Sequence, residues 1–332
     1  EYSHKFNRMM KKIKSGDSNR SNCQMISRLS RRSASSSSSS AQRVLRVLVV
    51  DGYGQDARDV FDAAGVPHAS TLYGETLARH APPHYQIERH VVYPCAAGYV
   101  APTDAELEKF DGAAFTGSSF SAFAEDDDVT RQIDLMRRTF TNALPCFGSC
   151  WGLQLAAMAL PGGSVVLNPR GREVGVGRKI SLTAEGREHA MFAGKKPVFS
   201  AWMSHSDEVD ALPAGAILTA SNEHSHVQAM AVTAHGTESW FVQYHPEYTL
   251  AYLAALLRLR KERMVRLGFF HTEGDVETYT AELEALDADP SRTDVKWKYG
   301  IDEDLLDDAV KQREMMNWLQ HIAQRQEQLL GE

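Results

Sequence analysis

Ten residues, 145–154, restrict the fold of this chain more than any others. A short apolar run ends in Gly148-Ser149-Cys150-Trp151-Gly152, and an apolar helical pattern follows at once. Glycines on both sides of one residue permit a sharp strand-to-helix turn whose central side chain projects clear of the backbone. Cys150 holds that position. A strand leading straight into a helix belongs to a sheet in which strands and helices alternate.

Upstream the alternation recurs. The β-branched run 44–50 stops at Asp51-Gly52 and reads as a buried parallel strand, and 56–64 reads as a helix closed by Gly65 and Pro67. A second strand spans 87–93, and Thr103-Asp104-Ala105-Glu106 is a capping box opening a short helix. A third strand, 113–116, runs into Gly117-Ser118-Ser119; a helix over 129–140 then precedes the elbow. This order predicts an α/β fold with a doubly wound, mostly parallel sheet and chemistry at the carboxyl ends of its strands.

From 163 to 243 the pattern changes. The segments 164–167, 179–183, 198–202, 217–220, 227–232 and 240–244 are strand-like with little helix between them, so an added mixed or antiparallel sheet is expected. Leu250, Leu253, Leu257, Met264 and Leu267 mark an amphipathic helix packing on the core. The chain divides into a disordered, basic, Ser-rich tail (1–42), an α/β domain (43–270) and an acidic helical extension (271–332). Met315, Trp318, Leu319 and Ile322 line one face near the end of that extension, which packs on the body or supports a subunit contact.

Charge narrows the partners. The net charge is −7, yet residues 1–46 carry eleven Lys/Arg against Glu1 and Asp17, which leaves −16 on the remainder. An acidic body repels phosphate backbones, so no nucleic-acid partner is expected. No apolar run approaches the ~20 residues that span a bilayer, so no membrane partner is expected either. The four cysteines lack CxxC spacing and fit a reducing, cytoplasmic setting, or an organelle if the basic, Ser-rich start is a transit peptide. The alternative for that segment is an untargeted tail.

A thiol attacks a carbonyl as its thiolate, which a helix N-terminus and a nearby imidazole both favour. The segment Gln243-Tyr244-His245-Pro246-Glu247, at the end of another predicted strand, supplies His245 as base and Glu247 to orient it. The backbone N–H groups of Trp151 and Gly117 are candidates for an oxyanion hole. Gln154, one helical turn after Cys150, faces the same way and is a candidate for substrate binding. Cys146 reads as a buried thiol and Glu125 to Asp128 as a solvated helix start. His224, His226 and His235 read as surface histidines, with no ligand set for a metal beside them, so neither metal nor cofactor is expected.

Taken together, these stretches resemble the class I glutamine amidotransferases, the family with a Cys-His-Glu triad. The resemblance covers roughly 45–267. It rests on Gly148 to Gln154, on Val242 to Glu247, and on two stretches similar to the amidotransferase domain of GMP synthetase: Gly171-Arg172-Glu173-Val174-Gly175, and Trp202 to Val209 followed by Leu212-Pro213-Ala214-Gly215. It implies a flavodoxin-like sheet, Cys150 as nucleophile, His245 as acid and base, Glu247 as its orienting partner, and Gly117 and Trp151 as oxyanion donors. Gln154, with Ser206 and Asp207, is implied to bind the substrate; His205 is not the catalytic base. Two departures stand out, Ser149 where an aliphatic residue is usual and a single glycine in Thr116-Gly117-Ser118. The Ser-Gly-Gly-x-Asp-Ser loop of a whole GMP synthetase does not occur.

The implied small-molecule substrate is glutamine or another γ-glutamyl compound, cleaved through a Cys150 thioester. With glutamine, ammonia passes to a synthetase or acceptor subunit on another chain; with γ-glutamyl peptides or amines, the protein works alone. The other readings are a non-catalytic interaction subunit that retains the fold and a related cysteine hydrolase acting on other carbonyls.

Overall fold

The computed structural model describes residues 42–331, so the expectations for the basic tail lie outside it apart from Gln42. Eleven strands form among these residues: β1 (Arg43–Val50), β2 (Tyr85–Val92), β3 (Gly112–Phe115), β4 (Cys146–Ser149), β5 (Ser164–Leu167) and β6 (Glu173–Leu182) come first. They are followed by β7 (Val198–His205), β8 (Asp207–Ala211), β9 (Ala216–Ser221), β10 (Ala229–Ala234) and β11 (Thr237–Val242). Nine of them make one sheet in the order β2-β1-β3-β4-β11-β10-β9-β6-β7, and β5 pairs with β8 apart from it. The first five strands of that order are parallel, and the rest continue antiparallel. The added antiparallel region is thus largely continuous with the parallel one.

Side chains alternate between faces along a strand, so a strand buried on both sides must be apolar throughout. In β1, Leu45, Val47 and Val49 enter one core while Leu48 and Val50 enter another. Helices α1 (Gln55–Ala64) and α2 (Ala69–Arg79) follow β1; α3 (Asp127–Thr141) precedes β4 and α4 (Trp151–Ala159) follows it. The acidic run begins α3 as expected, with the Asp126 side chain accepting from the Asp128 N–H. Helix α2 was not legible in the sequence, yet it buries Tyr73 and Leu77 against β1.

The amphipathic stretch after the sheet is two helices rather than one, α5 (Leu250–Leu259) and α6 (Lys261–Arg266), because Arg260 leaves helical geometry at φ −114°. Met264 is buried, but Leu267 is 47% exposed and does not pack on the core as expected. His226 and His235 are exposed; His224 is half-buried rather than at the surface and hydrogen-bonds through Nε2 to the Gly171 carbonyl (3.1 Å).

Helices α7 (Glu273–Ala288) and α8 (Arg313–Leu330) dominate the acidic extension. Met315, Trp318, Leu319 and Ile322 of α8 lie in the same core as Val47 and Phe147, each contributing about 2 kcal/mol through burial. Gly112 is part of this fit, since a Cβ there would stand 2.8 Å from the Trp318 ring. Lys195 and Glu314 form an ion pair buried beneath α8 (3.0 Å), and the Tyr244 hydroxyl donates to Glu314. The extension is therefore fastened directly to the residue before His245.

Candidate active site

Strands β3, β4 and β11 are parallel neighbours, so their carboxyl ends open on one edge of the sheet. Gly117 lies just past the first, Cys150 just past the second and His245 just past the third. At Cys150 the backbone turns into α4 with φ 52°, a conformation that L residues rarely adopt. The Cys150 N–H donates to the Val242 carbonyl (2.8 Å), which ties the turn to β11. The flanking glycines let helix and strands close up: a Cβ on Gly152 would sit 2.8 Å from the Phe115 carbonyl oxygen, and one on Gly148 2.9 Å from the Gly152 Cα.

His245 and Glu247 are each 2% exposed, and the imidazole Nδ1 hydrogen-bonds to Glu247 Oε1 at 2.8 Å. The ring stacks on Tyr248 with centroids 3.9 Å apart and planes 12° from parallel. Gly117 is glycine for a local reason, because a Cβ there would stand 2.8 Å from the imidazole Cε1. The remaining ring nitrogen, Nε2, is buried and without a well-formed hydrogen bond. Burial acts most strongly on this imidazole and disfavours its charge, but Glu247 and Cys150 outweigh it and lift the pKa from its usual 6.5 to about 9.

Ser149, noted as a departure from the family pattern, has a partner on each side. Its hydroxyl accepts from the Tyr73 hydroxyl (2.6 Å) and donates to Glu247 Oε1 (3.2 Å). A buried chain therefore runs Tyr73, Ser149, Glu247, His245. An aliphatic residue at 149 would leave the Tyr73 hydroxyl and this carboxylate oxygen each one bond short.

The cleft in front of Cys150 is lined by Gln154, Ser206 and Asp207, the three expected substrate-binding residues. The Gln154 amide nitrogen donates to the Asp207 carbonyl (3.1 Å) and to Gln243 Oε1 (3.3 Å), so it holds the 206–207 turn as well as facing the cleft. His205 lies behind that turn, bonded through Nδ1 to the Asp207 carbonyl (2.9 Å) and through Nε2 to Glu173 (3.0 Å), in keeping with its exclusion from the triad. Burial raises the pKa of the Asp207 carboxyl, against the pull of Ser121, His205, Arg172 and Arg263. Trp151 begins α4, where the first-turn N–H groups have no intrahelical acceptor. Cys146 is buried as expected; burial pushes its thiol up to about 12.

The family model for glutamine amidotransferase class-I matches residues 94–258. A γ-glutamyl-L-1-hydroxyisopropylamide hydrolase from a Pseudomonas species is 30% identical over 243 residues, which cover 71% of this chain and 80% of that protein. The chain belongs to the class I glutamine amidotransferase family. GMP synthase of Escherichia coli (strain K12 / DH10B) is 32% identical over 154 residues, 44% of this amidotransferase but only 27% of the synthase. The crystal structure of a glutamine amidotransferase from Thermotoga maritima shares the fold, with a TM-score of 0.51 at 15% identity, covering 84% of this chain and 97% of that one.

Some residues of the candidate site were not singled out in the sequence. Tyr73 lies on a helix whose periodicity is weak, and Arg260 and Arg263 sit at the α5–α6 break beyond the matched segment. Arg172 was visible within its Gly-Arg-Glu motif, but nothing there revealed that its guanidinium faces the cleft.

Proposed function

We propose that this class I amidotransferase hydrolyses the γ-amide of a γ-glutamyl compound through a Cys150 thioester. One observation carries the reading: a strained cysteine turn shares a buried site with an imidazole bonded to Glu247 at 2.8 Å. With its pKa near 9 the His245 imidazole already holds a proton at neutral pH, so Cys150 attacks the γ-carbonyl carbon as the thiolate beside it, and the backbone N–H groups of Gly117 and Trp151 receive the developing oxyanion. The C–N bond then breaks as His245 passes its proton to the departing nitrogen. Water, deprotonated by the same imidazole, adds to the thioester; glutamate leaves, and the Cys150 thiolate and protonated His245 are restored. Glu247 holds the ring in the tautomer with hydrogen on Nδ1, and Gln154 with the 206–207 turn binds the glutamyl group.

Identity of 30% over 80% of the Pseudomonas hydrolase supports the version in which a γ-glutamyl amide is the substrate. Likeness to the synthase supports the second version, in which glutamine is the substrate and ammonia goes to a synthetase on another chain. Four cysteines without CxxC spacing fit a reducing setting, the cytoplasm or an organelle, as the expected location.

The test is a steady-state screen of glutamine and γ-glutamyl amides, peptides and amines with wild type and Cys150→Ala, beside mass spectrometry after treatment with a glutamine-like diazoketone. Turnover by wild type alone and an adduct on Cys150, with none on Cys146, is expected. Equal turnover by Cys150→Ala, or no adduct and no turnover, refutes the reading and leaves a binding module. Glutaminase activity that appears only with an added synthetase moves the assignment to the ammonia-delivering version.

A further inference from the structure

Three guanidinium groups, those of Arg172, Arg260 and Arg263, converge on the cleft that opens on Cys150. Arg172 donates to Ser206 Oγ (2.8 Å) and Ser204 Oγ (3.0 Å), while Arg260 donates to the same Ser204 hydroxyl (3.3 Å) and to Tyr53 Oη (3.3 Å). A single hydroxyl therefore holds two cations side by side. Arg172 Nε is buried with no hydrogen-bond partner. Burial, reinforced by the charges of Arg260 and Arg263, lowers the Arg172 pKa to about 10.

Among the described residues, none of the three forms an ion pair with a carboxylate. The contrast with Arg258 is local: it belongs to the same helical stretch, yet it is paired with both Glu277 and Glu284 of α7. The fold thus pairs a structural arginine closely with two carboxylates, while the three that face the cleft have Asp207 nearby, which feels Arg172 and Arg263 without a close ion pair. Like charges gathered in a partly desolvated site repel one another, and a bound anion relieves that repulsion.

Charge counting narrows the anion. Among the described residues Asp207 is the single carboxylate on the cleft wall, so their lining carries a surplus of two positive charges. A γ-glutamyl group is a zwitterion and leaves the surplus unchanged: its ammonium suits Asp207 and its α-carboxylate occupies one guanidinium. Resting on the hydrolase reading above, we propose that the arginines form a subsite for a second carboxylate, carried by the leaving amine. The preferred substrates are then γ-glutamyl amino acids or peptides rather than γ-glutamyl derivatives of neutral amines. Planar guanidinium forks suit a carboxylate, and a charged hydrogen bond of this kind corresponds to roughly ten- to hundredfold in kcat/KM.

The test compares γ-glutamyl-L-alanine with γ-glutamyl-L-1-hydroxyisopropylamide, which differ by a carboxylate in place of a hydroxymethyl group. Wild type should prefer the acid by at least about tenfold in kcat/KM, the preference shrinking as ionic strength rises. Arg263 is exposed and makes no ion pair, so Arg263→Gln should fold; it should bring the two substrates to within about threefold, and Arg263→Lys should restore part of the gap. A wild-type ratio near one overturns the proposal, as does an equal loss on both substrates in Arg263→Gln, since the arginines then serve the α-carboxylate that both share. Hydrolysis of glutamine without hydrolysis of γ-glutamylalanine also overturns it while leaving Cys150 chemistry intact. Failure on every γ-glutamyl compound, with no diazoketone adduct, removes the hydrolase reading itself.

Discussion

Gly117→Ala isolates the position of the imidazole from every other part of the site. The added methyl carbon would lie 2.8 Å from His245 Cε1, where carbon atoms settle about 3.5–4.0 Å apart, so the ring must yield by roughly 0.7–1.2 Å. It has little freedom to do so, with Tyr248 stacked 3.9 Å from it and Nδ1 held 2.8 Å from Glu247. A displacement of about 1 Å in an aligned acid–base group costs on the order of 100-fold in rate, or about 3 kcal/mol of barrier. Overpacking should lower stability by only about 1–3 kcal/mol, so the protein remains folded. The backbone N–H at 117 survives the change, which separates this effect from loss of an oxyanion donor. Steady-state hydrolysis of a chromogenic γ-glutamyl anilide, paired with thermal unfolding, measures both quantities. A folded variant with kcat within twofold of wild type refutes the placement of the ring against Gly117 during turnover.

Ser149→Ala removes the hydroxyl between Tyr73 and Glu247; kcat should fall about three- to tenfold and the pH–rate profile should move, while Tyr73→Phe produces a smaller change of the same sign. A change in KM alone would show that the chain does not act through His245. The His245 pKa, lifted from 6.5 to about 9 in the folded state, contributes stability that is fully present below pH about 6.5 and lost as pH rises through about 9. The loss approaches about 3 kcal/mol, read as a falling melting temperature that His245→Gln flattens; a wild-type melting temperature that holds or rises over this range contradicts it. Glu314→Gln strands the buried Lys195 charge and weakens the bond from Tyr244, so urea denaturation should show a loss of about 3–5 kcal/mol. An unchanged midpoint would show that the extension does not brace the strand leading to His245.

Much of the parallel half of the sheet was legible because β1 and β3 carry apolar runs and the turns after them carry Asp51-Gly52 and Gly117. The elbow was legible because Gly148 and Gly152 bracket Cys150 in sequence, and Gly148 is fixed by the backbone of Gly152 only four residues away. The antiparallel half was less so. Strand β6 extends back to Glu173, through Gly175 and Gly177, and the second of these is small because Met203 of β7 packs over it. A neighbour distant in sequence therefore removed the local strand signal, and the Asp207-Glu208 start of β8 hid that strand in the same way.

The sequence by itself determined the identity of Cys150, His245 and Glu247, and that they follow strands which can end at one edge. Those features depend on residue type and short-range geometry. Only the tertiary structure decided that Tyr73 and Ser149 extend the hydrogen-bond chain behind Glu247, that α8 braces Tyr244, and that Arg172, Arg260 and Arg263 share a cleft in which, among the described residues, Asp207 is the one carboxylate. Each depends on side chains that meet after the chain has closed over tens to hundreds of residues, and a guanidinium's partner, or its lack of one, is set by that closure.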